Sequence, residues 1–98
     1  MPDMPSAPPA VPVSANSVSI KDFAFAPASV TVKAGTKLTW RNADQDPHTV
    51  TSTGADGPLR SKTLNTGDNY EYTFSKPGSY AYLCTIHPFM TATVVVTP

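Results

Sequence analysis

Residues 78–90 read GSYAYLCTIHPFM, and this stretch decides both the fold and the chemistry of the chain. Its first half alternates tyrosines with small residues up to Leu83, a pattern typical of a β-strand. Its second half carries three soft metal donors at matched spacings, namely Cys84, His87 and Met90. The two tyrosines share a strand face with the cysteine, because side chains repeat every second residue. If the tyrosines face the core, we expect the thiol to face it too.

These donors form a set with one distant histidine. Cys84 is the only cysteine, His87 is one of two histidines, and Met90 is the only methionine outside residues 1–16. The other histidine, His48, lies in the stretch PHTV. Two imidazoles, a thiolate and a weak thioether are the donor set of a mononuclear blue-copper electron-transfer site. Residues three apart in a turn have Cα atoms within about 7 Å, so two successive turns can aim three of these side chains at one ion.

Other interpretations of the same residues stay open but fit less well. A structural zinc site usually takes four Cys or His ligands, and the chain holds three in all. Adventitious zinc remains an alternative, because metal supply and geometry together decide occupancy. A Cys–His nucleophile needs a low thiol pKa, but Cys84 follows a strand and no helix N-terminus stabilises its thiolate. Taken singly, each residue has a plainer role, such as a small buried hydrophobe for a cysteine.

Length and composition limit the remaining possibilities. The 98 residues suit one domain, and residues 1–16 hold five of the eleven prolines without hydrophobic periodicity. We therefore predict a Pro/Ala/Ser-rich tail or linker over 1–16 and a folded domain over 17–98. Seven acidic and seven basic residues balance to zero net charge, so nucleic-acid binding has no electrostatic basis. No apolar stretch approaches the roughly 20 residues that a membrane-spanning helix needs.

Short alternating runs separated by turn signals fill the chain from residue 16 onward. A first run covers residues 18–25 and ends at Pro27, and further runs cover 29–33 and 36–42. A polar loop leads to a run over 48–51, residues 61–64 form a weak segment, and runs over 70–74, 80–84 and 91–97 follow. No 3.6-residue stripe persists. We predict an all-β protein, a Greek-key β-sandwich of about seven or eight strands.

These residues resemble a known family. Residues 25–50, with TWRN before the polar loop and PHTV after it, resemble the first half of plastocyanin-like cupredoxins. Residues 78–90 resemble the ligand loop of amicyanin, and the whole resemblance covers about residues 17–97. It implies a cupredoxin β-sandwich with one type 1 copper ion at one end. It also implies His48, Cys84 and His87 as equatorial ligands and Met90 as the axial ligand.

Two positions depart from the family pattern. Thr49 stands where plastocyanin and amicyanin carry Asn, and we expect its backbone N–H to donate to the Cys84 sulfur. Ile86 stands where amicyanin has Pro. Because proline has no N–H, Ile86 restores a second donor to the thiolate, and we expect that hydrogen bond to raise the reduction potential.

Two functions of different classes follow from this pattern. The first is a small type 1 copper protein that cycles between Cu(I) and Cu(II) as it exchanges electrons with redox partners. The alternative is a copper carrier or storage module that delivers copper to an acceptor. An enzyme is the least favoured class, because four ligands leave no open position for a substrate.

The resemblance also carries expectations about partners and location. It implies that the ring edge of His87 reaches the surface, so we expect transient redox proteins to dock near it. We expect Ile86 and Pro88 to form an apolar patch around it, and Phe89 either joins that patch or packs under the loop. We expect a monomer that is exported to the periplasm or the extracellular space and is tethered through its N-terminal tail.

Overall fold

The structure is a computed structural model that describes residues 16–98. The strands are β1 (Ser17–Lys21), β2 (Ala24–Ala26), β3 (Ser29–Lys33), β4 (Thr36–Asn42), β5 (Thr51–Ser52), β6 (Asn69–Phe74), β7 (Gly78–Leu83) and β8 (Thr91–Thr97). They form a sandwich of two four-stranded sheets, in the orders β2-β1-β4-β6 and β3-β8-β7-β5. The predicted all-β sandwich of seven or eight strands is confirmed. Over residues 16–98 no helix is long and apolar enough to cross a membrane.

The predicted boundary between tail and domain is not tested by this structure. Residues 1–15 lie outside the described range, so the proposed linker over 1–16 stays a prediction.

Alternating burial explains how the two sheets pack. In β4, Leu38 and Trp40 are fully buried while their neighbours are more exposed, because strand side chains point to opposite faces in turn. In β8, Val94 and Val96 are buried in the same alternating way. The Trp40 Nε1–H donates to the Tyr82 hydroxyl oxygen at 3.1 Å. That bond joins β4 of one sheet to β7 of the other inside the core.

The strand order brings three connections together at one end. Strands β1 and β4 are parallel, as are β3 and β8, and the other pairs are antiparallel. From β2 to β7, successive strands alternate between the sheets, so the chain crosses the sandwich repeatedly. The β1–β2 turn and the loop after β4 meet through hydrogen bonds of Asp44. The β7–β8 loop reaches the same place through Cys84, which contacts His48.

Two predicted strands differ from the observed ones. The single run over residues 18–25 is wrong: Asp22 and Phe23 form a turn, with φ angles of +53° and +59°, that divides it into β1 and β2. The run over 48–51 is also wrong, because regular pairing with β7 begins only at Thr51. The three preceding amides have other acceptors: the Leu64 carbonyl, the Cys84 sulfur and the Ser61 hydroxyl. The weak segment over 61–64 forms isolated pairing at Leu64.

Candidate metal centre

Three of the predicted donors meet at this end of the sandwich. The Nδ1 atoms of His48 and His87 are 3.2 Å apart, and the Cys84 Sγ atom lies 3.6 Å from the first and 3.9 Å from the second. The point equidistant from all three atoms is about 2.1 Å from each. Bonds from a metal to imidazole nitrogen or thiolate sulfur measure about 2.0–2.3 Å. One metal ion therefore fits between these atoms.

His48 belongs to the scaffold rather than to the loop. It is fully buried, and its backbone exchanges two hydrogen bonds with Leu64, at 3.0 and 2.7 Å. Its Nδ1 atom faces the other donors, and its Nε2 atom lies 2.8 Å from Asp44 Oδ2. An Nε2–H donated to that carboxylate leaves the Nδ1 lone pair free for a metal. A carboxylate behind a metal-binding imidazole fixes its tautomer and ring orientation in this way.

Asp44 is a site residue whose role behind His48 the sequence did not indicate. Its carboxylate also accepts the N–H groups of Asp22 and Phe23. Burial acts to raise the pKa of Asp44, but hydrogen bonds from the Phe23 and Asp22 amides and from His48 outweigh it, and the pKa lies below its ordinary value of 3.8. In the sequence, Asp44 is one of two acids in a polar loop, and nothing local separates it from Asp46.

The β7–β8 loop supplies the other donors. Cys84 is fully buried, and its N–H donates to the Met90 carbonyl at 3.1 Å, while the Met90 N–H donates to the His87 carbonyl at 2.9 Å. These two bonds fold the loop back, so the backbones of Cys84 and Met90 lie side by side. Met90 is only 2% exposed, so its side chain is buried at the end of the loop.

Two backbone N–H groups point at the cysteine sulfur. Those of Thr49 and His87 each lie 3.4 Å from Cys84 Sγ, and the predicted donation from Thr49 is confirmed. The prediction for Ile86 is wrong: among the hydrogen bonds of residues 16–98, the second bond comes from the amide of His87. The turn over 84–87 explains this, because the N–H of the fourth residue of a turn points back toward the first.

The Thr49 side chain braces the loop where the family carries Asn. Its hydroxyl oxygen accepts the Thr85 N–H at 2.8 Å and lies 2.9 Å from the Thr85 hydroxyl. It also accepts a hydrogen bond from the Thr51 hydroxyl at 3.1 Å. A single threonine thus joins the scaffold to the ligand loop through both its amide and its hydroxyl.

Apolar side chains surround the partly exposed His87 ring. Phe23, Ile86 and Phe89 are the exposed large hydrophobics of residues 16–98, at 40%, 42% and 71%. Phe89 therefore lies at the surface, and the alternative that it packs under the loop is wrong. Sequence reasoning missed Phe23, because period-two alternation assigned it to a strand instead of a turn. Its ring meets those of His48 and His87 edge-on.

Comparisons with known proteins agree with this geometry. The family model for the cupredoxin-like domain matches residues 6–96. Amicyanin-alpha of Methylorubrum extorquens is 35% identical over 88 residues, which cover 87% of this chain and 74% of that protein. Chloroplastic plastocyanin of Tetradesmus obliquus is 32% identical over 76% of this chain and 62% of that protein.

A solved structure gives the same answer for the fold. The crystal structure of amicyanin from Paracoccus versutus matches 88% of this chain and 84% of its own, with 35% sequence identity and a TM-score of 0.77. The donor set of this chain consists of two imidazoles, a thiol and a buried thioether. This set and the similarity to these relatives fit a single type 1 copper ion.

Proposed function

Because this chain belongs to the cupredoxin-like family, we propose that it is a small type 1 (blue) copper protein that transfers electrons between redox partners. The observation that carries the proposal is the meeting of the His48, Cys84 and His87 donor atoms, all within 4.8 Å of one another. In this proposal those three residues, together with Met90, would hold the copper ion. Copper in such a site supplies one-electron exchange between Cu(I) and Cu(II).

The protein's part in this function is to hold the donors still. Electron exchange is fast when the ligands need little rearrangement between the two oxidation states. His48 is held by its backbone bonds to Leu64 and by Asp44, and Cys84 is held by two amide donors to its sulfur. Four ligands leave no open coordination position for a substrate, so electron carriage fits better than catalysis.

The partner surface belongs to the same proposal. Electrons pass through the His87 ring, which is the only partly exposed member of the three converging donors in residues 16–98. Around it, Phe23, Ile86 and Phe89 offer apolar contact area to a redox protein. Brief encounters of this kind bury less than about 1,200 Å² in total. The protein acts as a monomer, and its partner presents an apolar surface to this face.

We also propose that the protein works outside the cytoplasm, in the periplasm or the extracellular space. Membership of the family supports this location, and the Pro/Ala/Ser-rich composition of residues 1–16 suits a tether. Fractionation of cells that make the natural protein tests the location. Recovery with cytoplasmic marker enzymes contradicts it.

Adding Cu(II) to the purified apoprotein tests the function. We expect one copper per chain, an intense blue colour and an EPR spectrum with narrow copper hyperfine splitting. Cys84→Ser should abolish both signals, because the colour and the narrow splitting come from the copper–thiolate bond. Colourless binding with ordinary wide splitting in the wild-type protein contradicts the proposal.

A second measurement separates electron transfer from copper delivery. The copper-loaded protein is cycled repeatedly between its oxidised and reduced forms in the presence of a Cu(I) chelator. An electron carrier retains its copper throughout. Rapid loss of Cu(I) to the chelator favours the carrier or storage module instead.

A further inference from the structure

The β1–β2 turn has a backbone conformation that its residues disfavour. Asp22 and Phe23 both have φ in the left-handed region, at +53° and +59°. Lys21 pairs with Ala24, so these two residues form a two-residue hairpin loop. Loops of this kind favour Asn-Gly or Asp-Gly, because a side chain at such a φ crowds the backbone. Backbone strain of this type is common at functional sites. A phenylalanine in the position that glycine usually takes therefore indicates a functional role for its side chain.

One carboxylate holds this turn and a histidine at the same time. Asp44 Oδ1 accepts the Asp22 N–H at 2.7 Å, and Asp44 Oδ2 accepts the Phe23 N–H at 3.0 Å. The same Oδ2 atom lies 2.8 Å from His48 Nε2. The Asp44 side chain is only 11% exposed, so little water competes for these bonds. The turn and the buried histidine are therefore tied to a common group.

The β1–β2 turn also places an aromatic ring against both histidines. The Phe23 ring centroid lies 5.7 Å from that of His48 and 5.0 Å from that of His87, with interplanar angles of 84° and 82°. Edge-to-face contacts at these separations are attractive. The two histidines are 39 residues apart in the chain, and their rings are 4.9 Å apart. Phe23 contacts both from outside the ligand loop.

The two histidines differ in what holds them. The Nε2 atom of His48 has the Asp44 carboxylate, whereas in residues 16–98 the Nε2 atom of His87 has no protein hydrogen-bond partner. Packing must therefore restrain the His87 ring. The Phe23 ring centroid lies 5.0 Å from the His87 ring centroid and the Phe89 centroid lies 6.2 Å from it, so Phe23 is the closer aromatic contact.

We infer that Asp44 and Phe23 act together as positioning residues for the two histidine ligands, an inference that rests on the proposed copper site. Asp44 orients His48 directly and, through the Asp22–Phe23 turn, holds the Phe23 ring against His87. Neither residue donates to the metal. Their effect is to keep the imidazoles in the binding arrangement before copper arrives and in both of its oxidation states.

A pair of glycine variants tests the role of Phe23. Phe23→Gly and Asp22→Gly each relieve one left-handed φ, so both should fold, but only the first removes the ring. We expect Phe23→Gly to release copper to a chelator about 2- to 10-fold faster than wild type, the size of one aromatic edge contact, and to alter the EPR hyperfine splitting. Asp22→Gly should match wild type, and Phe23→Tyr should restore the wild-type behaviour.

A pair of alanine variants tests Asp44. Loss of a carboxylate behind a metal-binding histidine lowers metal affinity about 10- to 100-fold, and we expect this of Asp44→Ala. Asp46→Ala removes a neighbouring, exposed acid of the same loop and should leave copper affinity unchanged. Should Asp44→Ala fail to fold, Asp44→Asn replaces it, because this variant keeps the size of the side chain but cannot accept all three hydrogen bonds. Its copper affinity should lie between those expected for Asp44→Ala and Asp46→Ala.

A measurement without metal keeps this inference separate from the proposed function. NMR relaxation of the His87 ring in the apoprotein should show more motion in Phe23→Gly than in Asp22→Gly or wild type. Equal ring motion and equal copper release in the two glycine variants overturn the inference, as do equal copper affinities in the two alanine variants. A wild-type protein that forms no blue site overturns the proposed function instead, and the apoprotein measurement still decides what Phe23 does.

Discussion

The metal centre has two halves that differ in how deeply they are buried. The scaffold half consists of His48, Thr49 and Asp44, and the loop half consists of residues 84–90. His48 is fully buried and Thr49 nearly so, whereas Ile86 and Phe89 of the loop half are exposed. The difference shows how one site meets two demands. Ligands must stay fixed as the charge of the metal changes, yet an electron must still reach the surface.

The halves also differ in their hydrogen bonds. In the scaffold half, the His48 amide donates to the Leu64 carbonyl and the Thr49 amide to the Cys84 sulfur, both in distant segments. The loop half bonds mainly to itself, from Cys84 to Met90 and from Met90 to His87. A self-bonded loop depends on few outside contacts, so the junction at Thr49 sets its position against the scaffold.

Removal of each histidine ligand gives the largest expected effect. His48→Gly and His87→Gly should both lose the blue colour completely. Free imidazole should restore it in His87→Gly, because that ring is partly exposed, but not in His48→Gly, where the space is sealed. Absorbance titration with imidazole checks this. Equal restoration in the two variants contradicts the proposed difference in access.

Alkaline pH should destabilise the core around Tyr82, where this side chain joins the two sheets. Burial raises the pKa of Tyr82 from 10.0 to about 12, although the hydrogen bond from Trp40 acts against this. Between pH 10 and 12 the unfolded chain loses the phenolic proton and the folded chain keeps it, so the free energy of unfolding falls as pH rises. The fall amounts to about 2–3 kcal/mol by pH 12.

Denaturant unfolding of the apoprotein between pH 8 and 12 measures this slope. Tyr82→Phe has no phenol to ionise at that position, so its free energy of unfolding should decline less across the same range. A variant with the wild-type slope shows that another group causes the decline.

Thr49→Val should uncouple the two halves. It removes the oxygen that the Thr85 N–H and the Thr51 hydroxyl donate to, and we expect the free energy of unfolding to fall by about 1–3 kcal/mol. Thr51→Val is the matched control, since it loses only one of these bonds and should cost about 0.5–1.5 kcal/mol. Urea unfolding of the two apoproteins compares them, and equal losses argue against Thr49 as the junction.

Phe89→Ser should have the smallest effect on stability. The side chain is 71% exposed, so the free energy of unfolding should change by less than about 0.5 kcal/mol, and the copper spectrum should stay the same. Electron exchange with a redox partner should slow, because the variant loses apolar docking area. Stopped-flow kinetics and urea unfolding together check this. A large loss of stability means that Phe89 supports the loop half after all.

Features that depend on local spacing could be predicted from the sequence. Period-two alternation indicated the all-β fold, and the spacing of His48, Cys84, His87 and Met90 indicated the donor set. The strand predictions failed where a residue's partner lies far away in the chain, whereas the Ile86 prediction failed on the geometry of a single turn. The 48–51 run has the pattern of a strand, but its amides bond to residues 61, 64 and 84.

The sequence alone specified the donor set and the type of fold, because the chemistry of a ligand and the period of a strand are local properties. Only the tertiary structure decided that Asp44, rather than Asp46, stands behind His48, and that Phe23 leaves its strand to cover two imidazoles. Asp44 and His48 are four residues apart, but the amides of Asp22 and Phe23 that bind the same carboxylate come from a segment about 20 residues away. No local pattern encodes such a meeting, since it arises from how the sheets cross.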